Sequence, residues 1–330
     1  MTPVAPHITT WLRRRLPAER GASPHTCDSY AYAFQLLFGF AAERLGVPPS
    51  DLAFEHLDAP LVLAFLEHLQ RDRRNGAGSR NVRLAAIKSF MRFMEYREPA
   101  ALEQIRRVLA IPAHRLDIRQ ARHLAPDQVQ ALLDVPEPTT PDGLRDRALL
   151  HVAVTGGLRV SELVGIRVDD LTFRGNYLDL RVRGKGRKER ALTLWKAVAD
   201  SVRAWLAVRG AVPVPEVFVN TRGAALTRSG AAWILRKHVQ SAAVKCPSLA
   251  GKPVSPHVLR HTCAINTLQA TRDIRKVALW LGHASIQTTE IYLQVDPAEK
   301  LEMLEAVVPP SLRKGTFSPP DRLLASLRGR

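Results

Sequence analysis

Six side chains in the second half of the chain are of the types that can exchange a phosphodiester bond without a metal ion. They are two arginines, two histidines, a lysine and a tyrosine: Arg159, Arg260, His257, His283, Lys185 and Tyr292. Arginines neutralise non-bridging oxygens as charge builds on phosphorus, and histidine can donate to the same oxygens. Tyrosine can attack phosphorus covalently, and lysine can protonate the leaving alkoxide. The set predicts phosphodiester transesterification.

The first of these residues follow turns that bring them close to a ligand. Gly156 and Gly157 allow a tight turn, after which Arg159 lies in the first turn of a helix, a position that suits a phosphate. Lys185 lies at the tip of a glycine-flanked hairpin. A lysine there can enter a groove while its basic neighbours hold backbone phosphates. Those neighbours are the predicted DNA-binding residues Arg187, Lys188 and Arg190.

The segment 255–261 begins another helix, because Ser255 is a good N-cap and Pro256 fits the first turn. His257 and Arg260 then share one helix face at i, i+3 spacing. His257 and His261 also have the i, i+4 spacing of a zinc-binding helix. The glutamate of that motif is missing and no third ligand is evident, so we predict no metal.

The last two candidates follow a predicted helix end. Gly282 closes a helix, and His283 comes next. Tyr292 follows nine residues later, in a short helix capped near Ser285. Each of these residues, taken alone, would more simply be explained by packing or solvation, so the prediction depends on the whole set.

Charge and composition point to a polyanionic partner. The chain of 330 residues has a formal net charge of +17 and a pI of about 10.6. Basic side chains outnumber acidic ones by 18 to 12 in residues 1–123 and by 30 to 19 in residues 124–330. This favours nucleic acid first and an anionic membrane second. A generally arginine-rich chain is the competing explanation.

Several classes of protein are excluded or disfavoured. No run approaches the ~18 apolar residues of a membrane span, and the N-terminus lacks the apolar region of a signal peptide. Three scattered cysteines do not make a disulfide framework or a zinc ribbon. We therefore expect a cytoplasmic protein.

The apolar spacing predicts helices that would position a basic surface. Ser23 and Ser79 are placed to cap the first and third of three helices, the first helix ends at Gly46, and Asp58 precedes Pro60 and the apolar stripe of the second. Their predicted buried faces are Tyr30, Phe34, Leu37 and Ala41; Leu63, Leu66 and Leu69; and Val82, Ala86, Phe90 and Met94. The basic exterior of the third helix includes the predicted DNA-binding residues Arg80, Arg83 and Lys88. In the second half, 177–183 alternates as a strand, and Leu192 and Leu194 continue as the return strand.

In their order along the chain, the motifs resemble those of the tyrosine recombinase (phage integrase) family, most closely its Xer-type members. The resemblance covers nearly all of residues 1–308. It rests on Thr-Gly-Gly-Leu-Arg at 155–159, Gly-Lys-Gly at 184–186, His-Val-Leu-Arg-His at 257–261, Leu-Gly-His at 281–283 and the tyrosine at 292. Each catalytic position of the family holds its usual residue.

The resemblance implies a role for each residue. Arg159 and Arg260 would clamp the phosphate. His257 would donate to the phosphate and accept the proton of the tyrosine. His261 would be structural.

Two of the remaining three residues would make and break bonds. Tyr292 would be the nucleophile. Lys185 would be the general acid for the 5′-oxygen, and His283 would support the phosphate.

The resemblance also implies a fold: mainly α with a small β-sheet. A four-helix SAM-like core-binding domain (1–112) would precede a linker (113–123) and a mixed α/β catalytic domain (124–310). A basic tail (311–330) would follow. The two domains would form a C-shaped clamp on double-stranded DNA recombination sites.

The implied assembly is a homotetramer, or a heterotetramer with a paralogue, in which each C-terminal helix docks on the next protomer. In this chain 297–308, with Leu301, Leu304 and Val308 on one face, fits that helix. Two sequential strand exchanges through a Holliday junction would need no cofactor, metal or ATP. The motifs leave open whether the event is chromosome dimer resolution or the integration or transposition of a mobile element.

Two other functions compete with recombination. A type IB topoisomerase shares the chemistry but acts as a monomer, and the small helical N-terminal domain and Xer-like spacing argue against it. A non-catalytic DNA-binding protein on the same scaffold would be expected to have lost some of the six residues.

Overall fold

The computed structural model describes residues 1–116, 122–184, 189–283, 288, 289 and 292. The chain divides into two compact units, Met1–Ile118 and Arg119–Arg330. Several predictions lie outside the described residues: the conformations of Lys185, Arg187 and Lys188, the cap near Ser285, the C-terminal helix, and the tail. The predicted linker is described only in part, and the predicted domain limits stay predictions.

The first unit is helical in all its regular structure that is described. Its helices are α1 (Val4–Thr10), which continues as a π-helical segment (Trp11–Glu19), α2 (Pro24–Leu45), α3 (Ala59–Arg71), α4 (Ala77–Met94) and α5 (Leu102–Ala110). Trp11 is fully buried at the centre, with the rings of Phe34 and Phe90 edge-on at 5.4 and 5.5 Å between centroids. This aromatic contact joins the π-helical segment to α2 and α4.

Local capping residues set the bounds of α2 and α3. The side chain of Ser23 accepts a hydrogen bond from the Thr26 amide, and that of Asp58 accepts one from the Leu61 amide. Gly46 ends α2 in the left-handed conformation, at φ 68°. The predicted cap at Ser23 and the predicted helix end at Gly46 are confirmed, because each depends only on neighbouring residues.

Other predictions for this unit are wrong. Ser79 does not cap α4, which begins two residues earlier after Gly76. Leu63 and Val82 are exposed, because the buried stripes of their helices lie on adjacent faces. Arg80 is buried rather than exterior and donates to the Pro112 carbonyl oxygen at 3.2 Å.

The second unit is a mainly helical fold with one small sheet, as predicted. Its elements are α6 (Pro126–Leu133), α7 (Pro141–Gly156), α8 (Val160–Val164), β1 (Leu171–Arg174), β2 (Tyr177–Arg183), β3 (Glu189–Leu194), α9 (Lys196–Arg209), α10 (Arg228–Lys245), α11 (Pro256–Thr271) and α12 (Ile274–Leu281). Helices α7 and α11 are among the elements that pack against each other in its core. None of the helices in the described residues is long and apolar enough to cross a membrane.

The three strands form an antiparallel sheet in the order β1-β2-β3. The predicted strand 177–183 is confirmed, and Leu178, Leu180 and Val182 alternate into the core as a half-buried strand requires. Leu192 and Leu194 lie on the return strand β3. The sequence analysis did not predict β1.

Candidate active site

A single buried carboxylate, that of Glu162, lies among three arginines. Arg159 Nη1 is 2.8 Å from Glu162 Oε1, and Arg190 Nη2 is 3.0 Å from Glu162 Oε2. Arg260 Nη1 lies 3.9 Å from Oε2. Burial opposes ionisation, but hydrogen bonds from Arg190 and from the Arg159 backbone outweigh it and hold the pKa of Glu162 below its usual value. The cluster therefore carries three positive charges against one negative charge.

Arg159 reaches this cluster because α7 ends in a tight turn. Gly157 has φ 57°, a conformation that side chains disfavour. A Cβ there would lie 2.6 Å from Leu281 Cδ2 and 2.9 Å from Cys263 Sγ. Glycine is thus needed both for the turn and for its contact with α11 and α12. Arg159 is the N-cap residue of α8, and the Glu162 carboxylate accepts from its amide at 3.0 Å.

Arg260 is held beneath the turn by backbone oxygens. It lies on α11 with its side chain only 5% exposed. Its guanidinium donates to the Gly157 carbonyl oxygen and, at 2.8 Å, to the Leu281 carbonyl oxygen. Desolvation, followed by the nearby charge of Arg159, lowers the pKa of Arg260 to about 10, so it stays charged at neutral pH. The two predicted phosphate-clamping arginines therefore come together from separate helices.

Arg190 belongs to the same cluster. The sequence analysis grouped it with exposed DNA-binding residues, but its side chain is only 13% exposed. In addition to Glu162, it binds the Trp280 carbonyl oxygen through Nε at 3.1 Å. Both edges of the guanidinium are engaged, so the structure does not place Arg190 on an exposed DNA-facing surface.

His283 lies immediately after the glycine that ends α12. Gly282 has φ 64°, and His283 Nδ1 is 2.7 Å from Thr289 Oγ1. Desolvation, followed by the charges of Arg260 and Arg159, lowers the pKa of His283 to about 4. The ring is therefore neutral at physiological pH. A phosphate beside it would oppose this effect and favour the imidazolium.

Tyr292 is only 2% exposed and packs in an apolar cluster between α11 and α12. The other buried members of this cluster are Ala264, Ile265, Leu268, Val277 and Leu281. The Tyr292 hydroxyl lies 2.8 Å from His261 Nδ1. Burial raises the pKa of Tyr292, while burial, followed by the charge of His257, lowers that of His261. In this state the hydroxyl is kept as a phenol.

The two histidines of α11 differ from the expectation. The sequence analysis expected His257 to take the proton of the tyrosine and His261 to be structural. Here His261 meets the hydroxyl, whereas His257 is exposed and has no hydrogen-bond partner among the described residues. His257 is free to reach a ligand in front of α11, and its role stays a prediction.

Sequence reasoning missed two functional candidates, Glu162 and the contact made by Trp280. An available signal for Glu162 was its i, i+3 spacing from Arg159 at a helix start. The Trp280 contact uses a backbone oxygen and leaves no signal in the sequence. The indole of Trp280 and the Cys263 thiol both donate to the Thr155 carbonyl oxygen at 3.1 Å. They hold the end of α7, from which the Gly157 turn begins.

The predicted DNA-binding residues of the first unit lie on α4. Arg83 packs over the ring of Tyr32 at 4.9 Å, and its Nε is buried without a partner in the described part of the chain. Lys88 is partly exposed, and burial lowers its pKa. These two can still approach a ligand, whereas the buried side chain of Arg80 holds the segment after α5.

Comparisons with known proteins show the family of the chain. Residues 122–299 match the model of the phage integrase family, and residues 8–98 match that of the phage integrase N-terminal SAM-like domain. The chain is 44% identical over 324 residues to y4rC of Sinorhizobium fredii, whose name describes an integrase/recombinase. The match covers 98% of this chain and 97% of that relative.

A second relative and a solved structure extend the comparison. The tyrosine recombinase XerC of Pelobacter propionicus is 34% identical over 315 residues, with 94% of this chain and 97% of the relative covered. The fold is similar to the XerH site-specific recombinase bound to a palindromic difH substrate after cleavage. The TM-score is 0.68 at 19% identity, over 90% of this chain and 84% of XerH.

Proposed function

The chain belongs to the phage integrase family and is a tyrosine site-specific recombinase of the Xer-like kind, and we propose that Tyr292 is its nucleophile. The observation that supports this most is the convergence of Arg159, Arg260 and His283 around Glu162, next to the apolar cluster that holds the tyrosine. This arrangement offers a concentrated positive charge to one phosphate. Among the described residues, the anion in this arrangement is the single carboxylate of Glu162.

The reaction keeps the number of phosphoester bonds constant. Tyr292 Oη attacks phosphorus, the bond to the 5′-oxygen breaks, and a 3′-phosphotyrosine forms. The hydroxyl proton passes to a histidine, and the leaving oxygen takes a proton from Lys185. A 5′-hydroxyl from the partner strand then attacks the phosphotyrosine and restores the tyrosine. Because the ester is conserved, no ATP is needed.

Arg159 and Arg260 are the proposed ligands of the non-bridging oxygens. Negative charge on these oxygens grows in the transition state, so fixed guanidinium groups stabilise it more than the ground state. His283 would add a hydrogen bond to the same phosphate, and His257, exposed at the start of α11, can reach it as well.

The proposed assembly follows from counting tyrosines. Recombination of two duplexes cuts four strands, and each protomer supplies one Tyr292. We therefore propose a tetramer on paired double-stranded sites, either of identical protomers or with a paralogue. The segment 297–308, with its apolar stripe, would dock on a neighbouring protomer. Because the substrate is DNA, we expect the protein to act in the cytoplasm, at the bacterial nucleoid.

A nicked suicide substrate tests the nucleophile. Tyr292→Phe removes one oxygen, so covalent protein–DNA complexes should disappear while DNA affinity stays within about twofold. Tyr177→Phe is the matched control, because Tyr177 is an exposed tyrosine of the same unit. A covalent adduct that persists in Tyr292→Phe would refute the assignment and the mechanism.

A bridging-sulfur substrate tests the general acid. A well-placed proton donor contributes typically about 10²–10⁴-fold, but a thiolate leaving group hardly needs one. Lys185→Ala should cleave normal DNA slowly and the 5′-bridging phosphorothioate at nearly the wild-type rate. An equal loss on both substrates, eased at low salt, would make Lys185 a phosphate contact.

Truncation after Asp296 tests the assembly. Single-site binding should remain, whereas cooperative binding and synapsis should fall. Tetramers that form normally on paired sites would refute the role of 297–308. Relaxation of supercoiled DNA without a recombination site, at a rate that matches cleavage of the site, would instead favour the topoisomerase alternative.

A further inference from the structure

Arg190 connects three elements of the catalytic unit. Arg190 is the second residue of β3 and pairs across the sheet with Val182 of β2. Its guanidinium binds the Glu162 carboxylate of α8 at 3.0 Å and the Trp280 carbonyl oxygen of α12 at 3.1 Å. Because these acceptors lie at different edges of one planar group, the side chain fixes the direction of approach as well as the distance.

The turn after α12 packs directly on the same guanidinium. A Cβ on Gly282 would lie 2.8 Å from Arg190 Nη1 and 3.0 Å from its Cδ. A residue with a Cβ at this position would have to displace the Arg190 guanidinium, and the φ of 64° also favours glycine. Gly282 immediately precedes His283, and Trp280 lies three residues before it. The position of His283 therefore depends on where Arg190 lies.

Arg190 is poorly suited to bind DNA itself. Its side chain is 13% exposed and its positive charge faces a carboxylate that is 4% exposed. A phosphate contact would require the guanidinium to leave both acceptors. The buried Glu162 would then lose one of its hydrogen-bonded partners, which is costly in a poorly solvated site.

We propose that Arg190 is a positioning residue for strand cleavage. It holds the start of β3 against Glu162, which orients Arg159, and against the turn that leads to His283. Lys185 is five residues before Arg190 in the sequence, so the same anchor fixes the strand at which the lysine-bearing segment ends. The inference rests on the proposed function, because it takes Lys185 as the acid and Arg159 as a phosphate ligand.

Variants of the full-length protein separate positioning from DNA binding. Arg190→Ala should slow single-turnover cleavage of a nicked site by about 10–100-fold, since a displacement of about 1 Å costs about 10²-fold. Affinity for the uncleaved site and its salt dependence should not change. Arg190→Lys keeps a charge near Glu162 but loses the two-edged geometry, so it should recover part of the rate.

Arg181→Ala is the matched control. Arg181 lies on β2 and binds a buried carboxylate, that of Asp170, at 3.1 Å, but it does not contact the cluster around Glu162. The control should cleave at nearly the wild-type rate. Thermal unfolding of each variant would show that all are folded at the assay temperature.

The bridging-sulfur substrate tests the link to Lys185. If Arg190 acts partly through the lysine, the loss in Arg190→Ala should be several-fold smaller on sulfur than on oxygen. The proposal would be overturned if folded Arg190→Ala cleaved DNA at the wild-type rate. It would also be overturned if the variant lost DNA affinity and the slope of log affinity against log salt concentration fell by about one, as expected for a lost phosphate contact. Equal losses on both substrates would overturn the link to Lys185, provided that Lys185→Ala is rescued by sulfur. If Lys185→Ala is not rescued, the error lies in the proposed function.

Discussion

Neutralising Glu162 while keeping its shape should destabilise the catalytic unit and make it depend on DNA for stability. In Glu162→Gln, three arginines would face a neutral amide. Breaking a buried ion pair costs about 3–5 kcal/mol. Arg159 is 39% exposed and the amide oxygen still accepts a hydrogen bond, so we expect a decrease of about 2–3 kcal/mol in the free energy of unfolding. At roughly 2–4 °C per kcal/mol, Tm should fall by about 4–12 °C.

DNA should reverse part of this loss, because a phosphate supplies the missing negative charge. The Tm difference between variant and wild type should shrink on a saturating uncleaved site, while cleavage slows by about 10-fold or more as the arginines lose their orientation. Asp170→Asn is the control, since Asp170 is equally buried and binds Arg181 and Arg183 at 3.1 and 2.9 Å. The decrease in Tm of Asp170→Asn should persist when DNA is bound. Unchanged stability of Glu162→Gln, or a deficit that DNA leaves intact, would refute this account of the cluster.

Two further substitutions probe the turns around the cluster. Gly157→Ala should lower the free energy of unfolding by at least about 2 kcal/mol and slow cleavage, because it combines the strain of φ 57° with Cβ contacts of 2.6 and 2.9 Å. Gly175→Ala is the control, because Gly175 has φ 55° in open space and the substitution should cost only the backbone strain. If chemical denaturation gave the same loss of unfolding free energy for Gly157→Ala and Gly175→Ala, the steric argument would be wrong. His283, with its pKa lowered from 6.5 to about 4, contributes stability above pH 6.5 that is lost as pH falls towards 4. After allowance for solvent screening this contribution is about 2 kcal/mol at most. In His283→Gln the free energy of unfolding should therefore vary less between pH 4 and pH 6.5 than in the wild type. The same dependence of unfolding free energy on pH in both proteins would contradict the shifted pKa.

Features that depend on neighbouring residues were predictable from the sequence. The alternation of 177–183 gave β2 its bounds, and Ser23 and Asp58 cap the helices they precede. Gly282 ends α12 in the left-handed conformation, as its position after Leu281 indicated. Each of these depends on backbone geometry or hydrogen bonds within a few residues.

Features that depend on distant residues were not predictable. Arg80 and Arg190 both lie in basic stretches that look solvent-exposed, yet Arg80 is buried and the side chain of Arg190 is only 13% exposed. Arg190 meets Glu162 across 28 positions and Trp280 across 90. A charged side chain is buried only where a partner compensates it, and spacing along the sequence does not reveal a partner that the fold supplies. The contact of His261 with Tyr292 was missed for the same reason, because it spans 31 positions.

In the described state the arginine cluster is ready to bind a phosphate, but the tyrosine is not. The arginine cluster is assembled and charged, but Tyr292, at 2% exposure, cannot reach a phosphate without leaving its apolar cluster. Withdrawing a buried aromatic side chain costs on the order of 2–3 kcal/mol, and each 1.4 kcal/mol is a factor of ten in the population of the released state. The hydrogen bond to His261 adds to this cost. In the proposed mechanism, cleavage must therefore be coupled to an event that offsets this cost, and binding of a phosphate among Arg159, Arg260 and the histidines is the contact best placed to do so.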